Sequence, residues 1–247
     1  MNGLEEQYKS KGLSVIGVTS EGAGDTEKWI AAKGAKYAYG YDKGGKLSAY
    51  FGVTGIPHAV LVDPTGKVVW DGNPGSLDGA TIEKALAGAL PKLPWEWEAA
   101  LQPAAQLLGK RQFAKAIAEA TKAGPAGADF VSAVQAVVKS RVDALKAAKQ
   151  AGDFLAASES AAALTKDLDG LPEKDEVATI AKELAADKEA VKVIAAQKQV
   201  RDLLSEKVKK KDLPNALKKL EKIKKDLPDT AAARDADAAI TQLRRPD

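Results

Sequence analysis

The spacing of apolar residues changes character partway along this 247-residue chain. Up to Leu93, short apolar runs alternate with glycines and polar residues, a pattern typical of mixed strands and helices. From Trp95 onward, alanine, leucine, lysine and acidic residues recur at helical spacing. Two prolines at this join stop one helix and allow the next to begin. We therefore predict two domains, residues 1–92 and residues 93–247.

The first domain has the alternating pattern of an α/β fold. The β-branched run Leu13–Val18 predicts a buried strand, because it is too short for a helix. Two further strands are predicted at Ala59–Asp63 and Lys67–Asp71, joined by a tight turn in which Pro64 and Gly66 suit their positions. Helices are predicted over Asp25–Lys33, with Asp25 as the cap, and over Asp78–Leu90, with Ile82, Leu86 and Leu90 on one face.

The second domain repeats a helical unit. Short breaks that end in an apolar residue occur at Gly109–Phe113, Gly152–Phe154 and Lys211–Leu213, and similar apolar and alanine positions follow each break. Because the breaks are unequally spaced, we predict diverged antiparallel helix pairs similar to tetratricopeptide-type hairpins. Stacked hairpins usually present a binding surface, so we expect this all-helical domain to bind a protein partner.

Composition excludes several kinds of chemistry. The 37 basic and 34 acidic residues give a net charge of only +3, so we expect no nucleic-acid partner. No apolar run reaches the ~20 residues of a membrane span, and Met1–Glu6 does not have the pattern of a signal peptide. The lack of cysteine excludes thiolate nucleophiles, and a single histidine excludes a multi-histidine metal site. We expect no cofactor.

Three segments of the first domain carry a family resemblance: residues 8–18, residues 50–58 and residues 62–72. They resemble the thioredoxin-like domain of the TlpA-like and redoxin group, which includes relatives of alkyl hydroperoxide reductase. The resemblance covers about a third of the chain and does not include the helical half. It implies thiol-disulfide exchange as the family activity and suggests an extracytoplasmic or periplasmic location, although the chain itself leaves the compartment open. It also implies a cis Ile56–Pro57 bond and a substrate-facing site at Ile56, Pro57 and His58.

This chain departs from the family pattern at its start. Active members have a first strand and a Trp-Cys-x-x-Cys turn before the helix that Met1–Lys11 continues, and this sequence has neither. In the family that strand is central, so its loss would leave unpaired backbone groups on its neighbours. We expect an incomplete thioredoxin-like domain, explained by N-terminal truncation in preference to a domain that is naturally this short.

Two functions follow from these observations. The first is a thiol-disulfide oxidoreductase-type protein whose given chain lacks the redox cysteines and is inactive on its own. The alternative is a non-enzymatic scaffold that binds proteins through a degenerate thioredoxin-like fold and helical hairpins.

Other candidate sites have simpler explanations. His58 could act as a base, but without a nucleophile a structural role is favoured. Gly40–Lys46 fits the opening of a phosphate-binding loop, yet Leu47 stands where Ser or Thr is needed, which favours a glycine-bearing connection to a short helix.

A lysine-rich stretch offers one more candidate. Lys207–Lys225 contains nine lysines and two acids, so an anion site at Lys209, Lys210, Lys211 and Lys218 is possible. Because no aromatic residues interleave and apolar residues form a packing face, a solvated helix face is favoured.

Overall fold

The computed structural model describes residues 1–205 and 211–244. The chain divides into two compact units. The first unit contains residues 1–110 and 115–140, and the second contains residues 111–114 and the chain from 141 onward. This division does not coincide with the change of sequence pattern, and the predicted domain boundary at residues 92 and 93 stays a prediction.

The N-terminal part of the first unit contains two small sheets. Strands β1 and β2 pair in parallel, with Ile16 opposite Ala38 and Thr19 opposite Tyr41. Strands β3 and β4 form an antiparallel hairpin, with an irregularity between Leu61 and Val62. Within the described part of the chain, the two sheets are separate and each has two strands. The elements are α1 (Asn2–Tyr8), β1 (Ile16–Thr19), α2 (Ala23–Lys33), β2 (Ala38–Tyr41), α3 (Lys46–Tyr50), β3 (Ala59–Val62), β4 (Val68–Gly72) and α4 (Gly79–Ala85).

The predicted β-hairpin is present, and its turn shows why. The Asp63 carboxylate accepts hydrogen bonds from the backbone amides of Thr65 at 2.8 Å and Lys67 at 3.1 Å. Gly66 takes a φ of 89°, in the left-handed region that glycine adopts without a steric penalty. Local side-chain bonding and one glycine therefore set the register of the hairpin.

Two predicted helix details were wrong. Helix α2 begins at Ala23, after Gly22, and Asp25 lies inside its first turn and not at the cap. Helix α4 was predicted over Asp78–Leu90; Asp78 is its N-cap, since the Asp78 carboxylate accepts from the amide of Thr81 at 2.7 Å, but the helix ends at Ala85. Gly88, with a φ of 75°, breaks the helical path, and the helix does not reach Leu90.

A compact apolar cluster holds the N-terminal elements together. Tyr8 from α1, Leu61 from β3, and Ile82 and Ala85 from α4 are all buried in it. The partly buried residues around it are Leu4, Leu13, Trp70, Leu77 and Leu86. This cluster buries one face of the β3–β4 hairpin, since Leu61 and Trp70 are cross-strand partners.

Helical segments complete the first unit. Trp97 packs edge-on against Phe130, with ring centroids 4.9 Å apart. The serine at position 140 donates to the backbone oxygen of Ala87 at 3.2 Å. The helices that contribute residues here are α5 (Gln102–Gly109), α6 (Phe113–Thr121) and α7 (Ala128–Gln150), of which α6 and α7 also contribute to the second unit.

The regular elements described in the second unit are all helices. They include α8 (Phe154–Asp167), α9 (Glu173–Ala186), α10 (Lys188–Ser205), α11 (Leu213–Asp226) and α12 (Ala231–Leu243). A helix begins at the last residue of each predicted break: α6 at Phe113, α8 at Phe154 and α11 at Leu213. Helix α8 packs against α9, and α11 packs against α12, as expected for helical hairpins.

A buried amide links three parts of this unit. Gln197 of α10 donates to the carboxylates of Asp153 at 3.0 Å and Asp235 at 2.8 Å, and its oxygen accepts from the amide of Leu155 at 3.0 Å. Buried polar groups are tolerated when they are bonded in this way. The apolar core around it is formed by Val193, Ala196, Val200, Leu220, Ile223, Ala232, Ala236, Ala239 and Ile240.

The substitution Leu220→Ala should destabilise the second unit strongly. Leu220 is fully buried, so truncation leaves a cavity and should lower the free energy of unfolding by about 2–5 kcal/mol. Leu204→Ala is the matched control, because Leu204 is 36% exposed and the same change there should cost less than about 1 kcal/mol. Urea unfolding followed by far-UV circular dichroism measures both. Equal losses in the two variants would contradict this packing.

Candidate functional site

The predicted substrate-facing residues lie in the connection that leads from α3 into β3. The Ile56 side chain is 93% exposed, and the Ile56–Pro57 peptide bond is cis. Pro57 is exposed as well, whereas the His58 side chain is only 19% exposed. An isoleucine with almost no burial contributes little to the folded core, so its apolar surface is available to another molecule. The role of these three residues toward a substrate stays a prediction.

His58 has a partner on the neighbouring strand. Its Nε2 lies 3.3 Å from Oδ2 of Asp71, which belongs to β4. The contact joins the residue directly before β3 to strand β4, and it limits the orientations of the imidazole ring. An imidazole can accept or donate a proton, but nucleophilic thiol chemistry also needs a thiolate, and the chain has no cysteine.

The glycine-rich segment Gly40–Lys46 contains its own hydrogen-bond acceptor, the carboxylate of Asp42. The carboxylate of Asp42 accepts hydrogen bonds from the backbone amides of Leu47 and Ser48, each at 2.9 Å, and from the Ser48 hydroxyl at 2.9 Å. These amides begin α3 and are the groups that a phosphate would need. Because Asp42 already occupies them, the structure favours the glycine-bearing connection over a phosphate-binding loop.

The same hydrogen bonds stabilise the charged form of Asp42. The amide of Leu47, followed by that of Ser48, holds the pKa of this carboxyl below its usual value, although burial acts in the opposite direction. Asp42 is therefore an ionised cap inside the first unit.

The first unit contains an aromatic cluster that was not predicted from the sequence. The rings of Tyr37 and Tyr39 stack with centroids 5.2 Å apart, and Trp29 meets Tyr39 edge-on at 6.0 Å. Tyr39 donates to the hydroxyl of Tyr37 at 3.0 Å, and burial together with this bond raises the pKa of Tyr39 to about 12. The spacing of the two tyrosines, which places them on one face of a strand, was the available signal.

An open depression of about 320 Å³ adjoins this cluster. Its lining residues are Met1, Asn2, Gly3, Trp29, Lys33, Ala35 and Tyr37. One side is closed by Asn2, whose amide group donates to the oxygen of Gly34 at 2.8 Å and accepts from the amide of Lys36 at 3.0 Å.

The possible anion site is only partly within the described residues. Lys209 and Lys210 lie outside them, and Lys211 and Lys218 are exposed. On the same helix Lys224 pairs with Asp237, which raises the pKa of that lysine, and Leu220 and Ile223 are buried as the packing face. Anion binding at Lys209, Lys210, Lys211 and Lys218 stays a prediction.

Across residues 1–205 and 211–244, no helix is both long enough and apolar enough to cross a membrane. In the same part of the chain, histidine and acidic side chains do not gather into a group of three or more that could hold a metal ion.

Comparison with known proteins supports the resemblance seen in the sequence. Residues 1–71 match the AhpC/TSA family. The thiol-disulfide oxidoreductases ResA of Bacillus thuringiensis (strain Al Hakam) and Bacillus anthracis are each 31% identical over 94 residues, which cover 38% of this chain and 51% of the relative. The chain thus spans about half the length of these curated relatives. No solved structure matches the chain significantly.

These matches define the class of the N-terminal part. Residues 1–71 form a redoxin domain of the thioredoxin-like type, with few strands in two small sheets, and the residues that follow are predominantly helical. The predicted fold class, an incomplete thioredoxin-like domain followed by an all-α domain, is confirmed.

The substitution Asp42→Asn should reduce stability in a pH-dependent way. The pKa of Asp42 is lower in the folded chain than its ordinary value of about 4, so its contribution is complete above that value and is lost as the pH falls through the folded-state pKa. Wild type should therefore unfold at a higher temperature than the variant at neutral pH, and this difference should shrink in acid. Calorimetry at several pH values measures it.

Asp25→Asn is the control for this experiment, because the Asp25 side chain is 79% exposed and its contact with Lys28 is long, at 3.8 Å. It should change the unfolding temperature little at any pH. A difference between wild type and Asp42→Asn that does not depend on pH would contradict the role of the charge.

Proposed function

We propose that the redoxin domain is the substrate-binding part of a thiol-disulfide oxidoreductase-type protein, and that the 247 residues alone do not catalyse thiol-disulfide exchange. The AhpC/TSA match and the ResA similarity support the first part. The absence of cysteine supports the second. Exchange requires a thiolate to attack a disulfide sulfur and form a mixed disulfide, and no other side chain forms that bond.

The observation that carries the binding role is the exposure of Ile56. This side chain is 93% exposed beside Pro57, and the next residue, His58, is held against Asp71 on the hairpin. A bound polypeptide could cover Ile56 and pair with the backbone next to it, which is the substrate contact that the resemblance implies. The β3–β4 hairpin gives these residues a rigid support, because its register is set by the turn and by the core cluster.

We also propose a protein partner for the helical part of the chain. Helices packed as hairpins bury their apolar stripes against one another, and stacked hairpins form the extended surfaces with which helical-repeat proteins bind other proteins. This role does not need the redoxin domain to be active.

The intact chain should not accelerate the reduction of insulin by dithiothreitol. The rate of insulin reduction should be the same with dithiothreitol alone and with dithiothreitol plus the chain, even when the chain is as concentrated as insulin. The chain supplies no thiol. Turbidity from the released insulin B chain gives the measurement, and a thioredoxin with its Cys pair is the positive control. A protein-dependent rate in the purified chain would overturn the proposed lack of activity.

The substitution Ile56→Asp should weaken the binding of an extended polypeptide. A fluorescent, carboxymethylated insulin B chain is the probe, and its affinity should fall about tenfold because the apolar contact of one isoleucine is lost. Val191→Asp is the matched control, since Val191 is 47% exposed on α10. Fluorescence anisotropy measures both variants.

The same experiment tests the second candidate function, a non-enzymatic scaffold. The lack of cysteine in 247 residues favours this alternative. A scaffold that binds through its helices would hold the probe equally well in wild type and Ile56→Asp. That result would contradict a binding site at Ile56, Pro57 and His58.

A further inference from the structure

The depression beside the aromatic cluster of Trp29, Tyr37 and Tyr39 is large enough to hold a small molecule. Its volume is about 320 Å³, and ligand pockets in proteins begin at about 300 Å³. Its lining residues all lie between Met1 and Tyr37, within the first unit. The depression is therefore made by a different part of the chain from the candidate site at Ile56.

Helix α2 supplies two of the lining side chains. Trp29 and Lys33 are four residues apart, and residues at this spacing are neighbours on a helix surface. Gly34 ends the helix with a φ of 61°, in the left-handed region, so the chain turns there before it enters β2. Tyr37, three residues after this glycine, also lines the depression. One turn of helix and one glycine thus bring two aromatic rings and a cation to the same place.

The two aromatic rings of the lining are held in position by Tyr39. The Tyr39 ring stacks on Tyr37 and meets Trp29 edge-on. A Cβ added at Gly17 would come within 2.6 Å of the same ring, so Tyr39 packs directly on the backbone of β1. Contact with a strand and with two other rings leaves these side chains few orientations. A ligand that binds against them therefore loses little side-chain entropy.

The charges of the lining favour an anionic ligand. Among the described residues that form it, Lys33 is the cation and none is an acid. Lys36 lies outside the lining and is paired with Glu6 at 2.5 Å, whereas Lys33 is exposed and has no ion-pair partner in the described part of the chain. The Tyr37 hydroxyl accepts from Tyr39 at 3.0 Å, so its own hydrogen is left to donate. A carboxylate can accept from both the lysine and this hydroxyl.

We propose that this depression binds a planar aromatic carboxylate, with the ligand ring against Trp29 and Tyr37 and its carboxylate against Lys33. The Trp29 side chain is 45% exposed, although tryptophan is mostly buried in folded proteins, so its ring is accessible for stacking. An uncharged aromatic molecule would lose the ion pair, and an aliphatic acid would lose the ring contacts. The two requirements together define the ligand class. This inference does not rest on thiol chemistry or on polypeptide binding at Ile56.

Titration calorimetry with β-naphthoate tests the proposal on the intact chain. Two matched probes separate the two requirements: β-naphthalenemethanol has the same rings without the charge, and decahydro-β-naphthoate has the charge without an aromatic ring. β-Naphthoate should bind about fivefold more tightly than either probe. In amide NMR spectra, its addition should shift the signals of Lys33, Ala35 and Tyr37, which line the depression or adjoin its cation.

Substitutions identify the groups that recognise the ligand. Lys33→Met removes the cation from an exposed side chain, so the affinity for β-naphthoate should fall about fivefold while that for β-naphthalenemethanol stays the same. Lys36→Met is the matched control, because it removes the same charge outside the lining, and it should bind as wild type does. Trp29→Leu should weaken both naphthalene probes about fivefold. Unchanged amide signals of the β3–β4 hairpin identify Trp29→Leu as folded.

Four results would overturn the proposal: no binding of β-naphthoate at millimolar concentration, equal affinity for β-naphthoate and β-naphthalenemethanol, wild-type affinity in Lys33→Met, or signal shifts confined to residues outside the depression. Failure here is distinguishable from failure of the proposed function. Ile56→Asp should bind β-naphthoate as wild type does, and Lys33→Met should bind the insulin B chain as wild type does.

Discussion

The packing of α1 against its neighbours is the constraint on which the N-terminal fold depends. Tyr8 brings this seven-residue helix into the same buried cluster as Leu61 and Ile82, and Glu5 holds the chain before β1. An isolated helix of this length would be unstable in water, so its order comes from these contacts. Since Leu61 of β3 and Ile82 of α4 share the cluster with Tyr8, the loss of α1 would uncover both the hairpin and α4.

Elements defined by local chemistry could be predicted from the sequence. The hairpin followed from its turn residues, and the breaks between helices followed from apolar spacing. The cap at Asp25 could not be decided locally, because Gly22 and Asp25 both suit a helix start. The end of α4 follows from Gly88 and the stacking of Tyr37 on Tyr39 from their spacing, whereas the contact of Trp29 with Tyr39 joins two elements and is not contained in a pattern.

The candidate site, too, could be predicted from the sequence only in part. Family resemblance located Ile56, Pro57 and His58, but the contact of His58 with Asp71 joins residues on two strands and is visible only in three dimensions. The phosphate-loop alternative was already disfavoured by Leu47, and the bonds from the amides of Leu47 and Ser48 to Asp42 add a reason that only the structure shows. The match to the AhpC/TSA family at residues 1–71 thus occurs in a chain that has no cysteine.

The bonds of Gln197 have a consequence for how the helical unit could have evolved. In a regular repeat protein each repeat contacts its immediate neighbours, and whole repeats can be gained or lost. Here the amide in α10 is bonded both to Asp153, before α8, and to Asp235 in α12. Deleting a hairpin that bonds to Gln197 would leave this buried amide without one of its hydrogen-bond partners in an apolar core. The helices whose residues bond to Gln197 would therefore have to be gained or lost together.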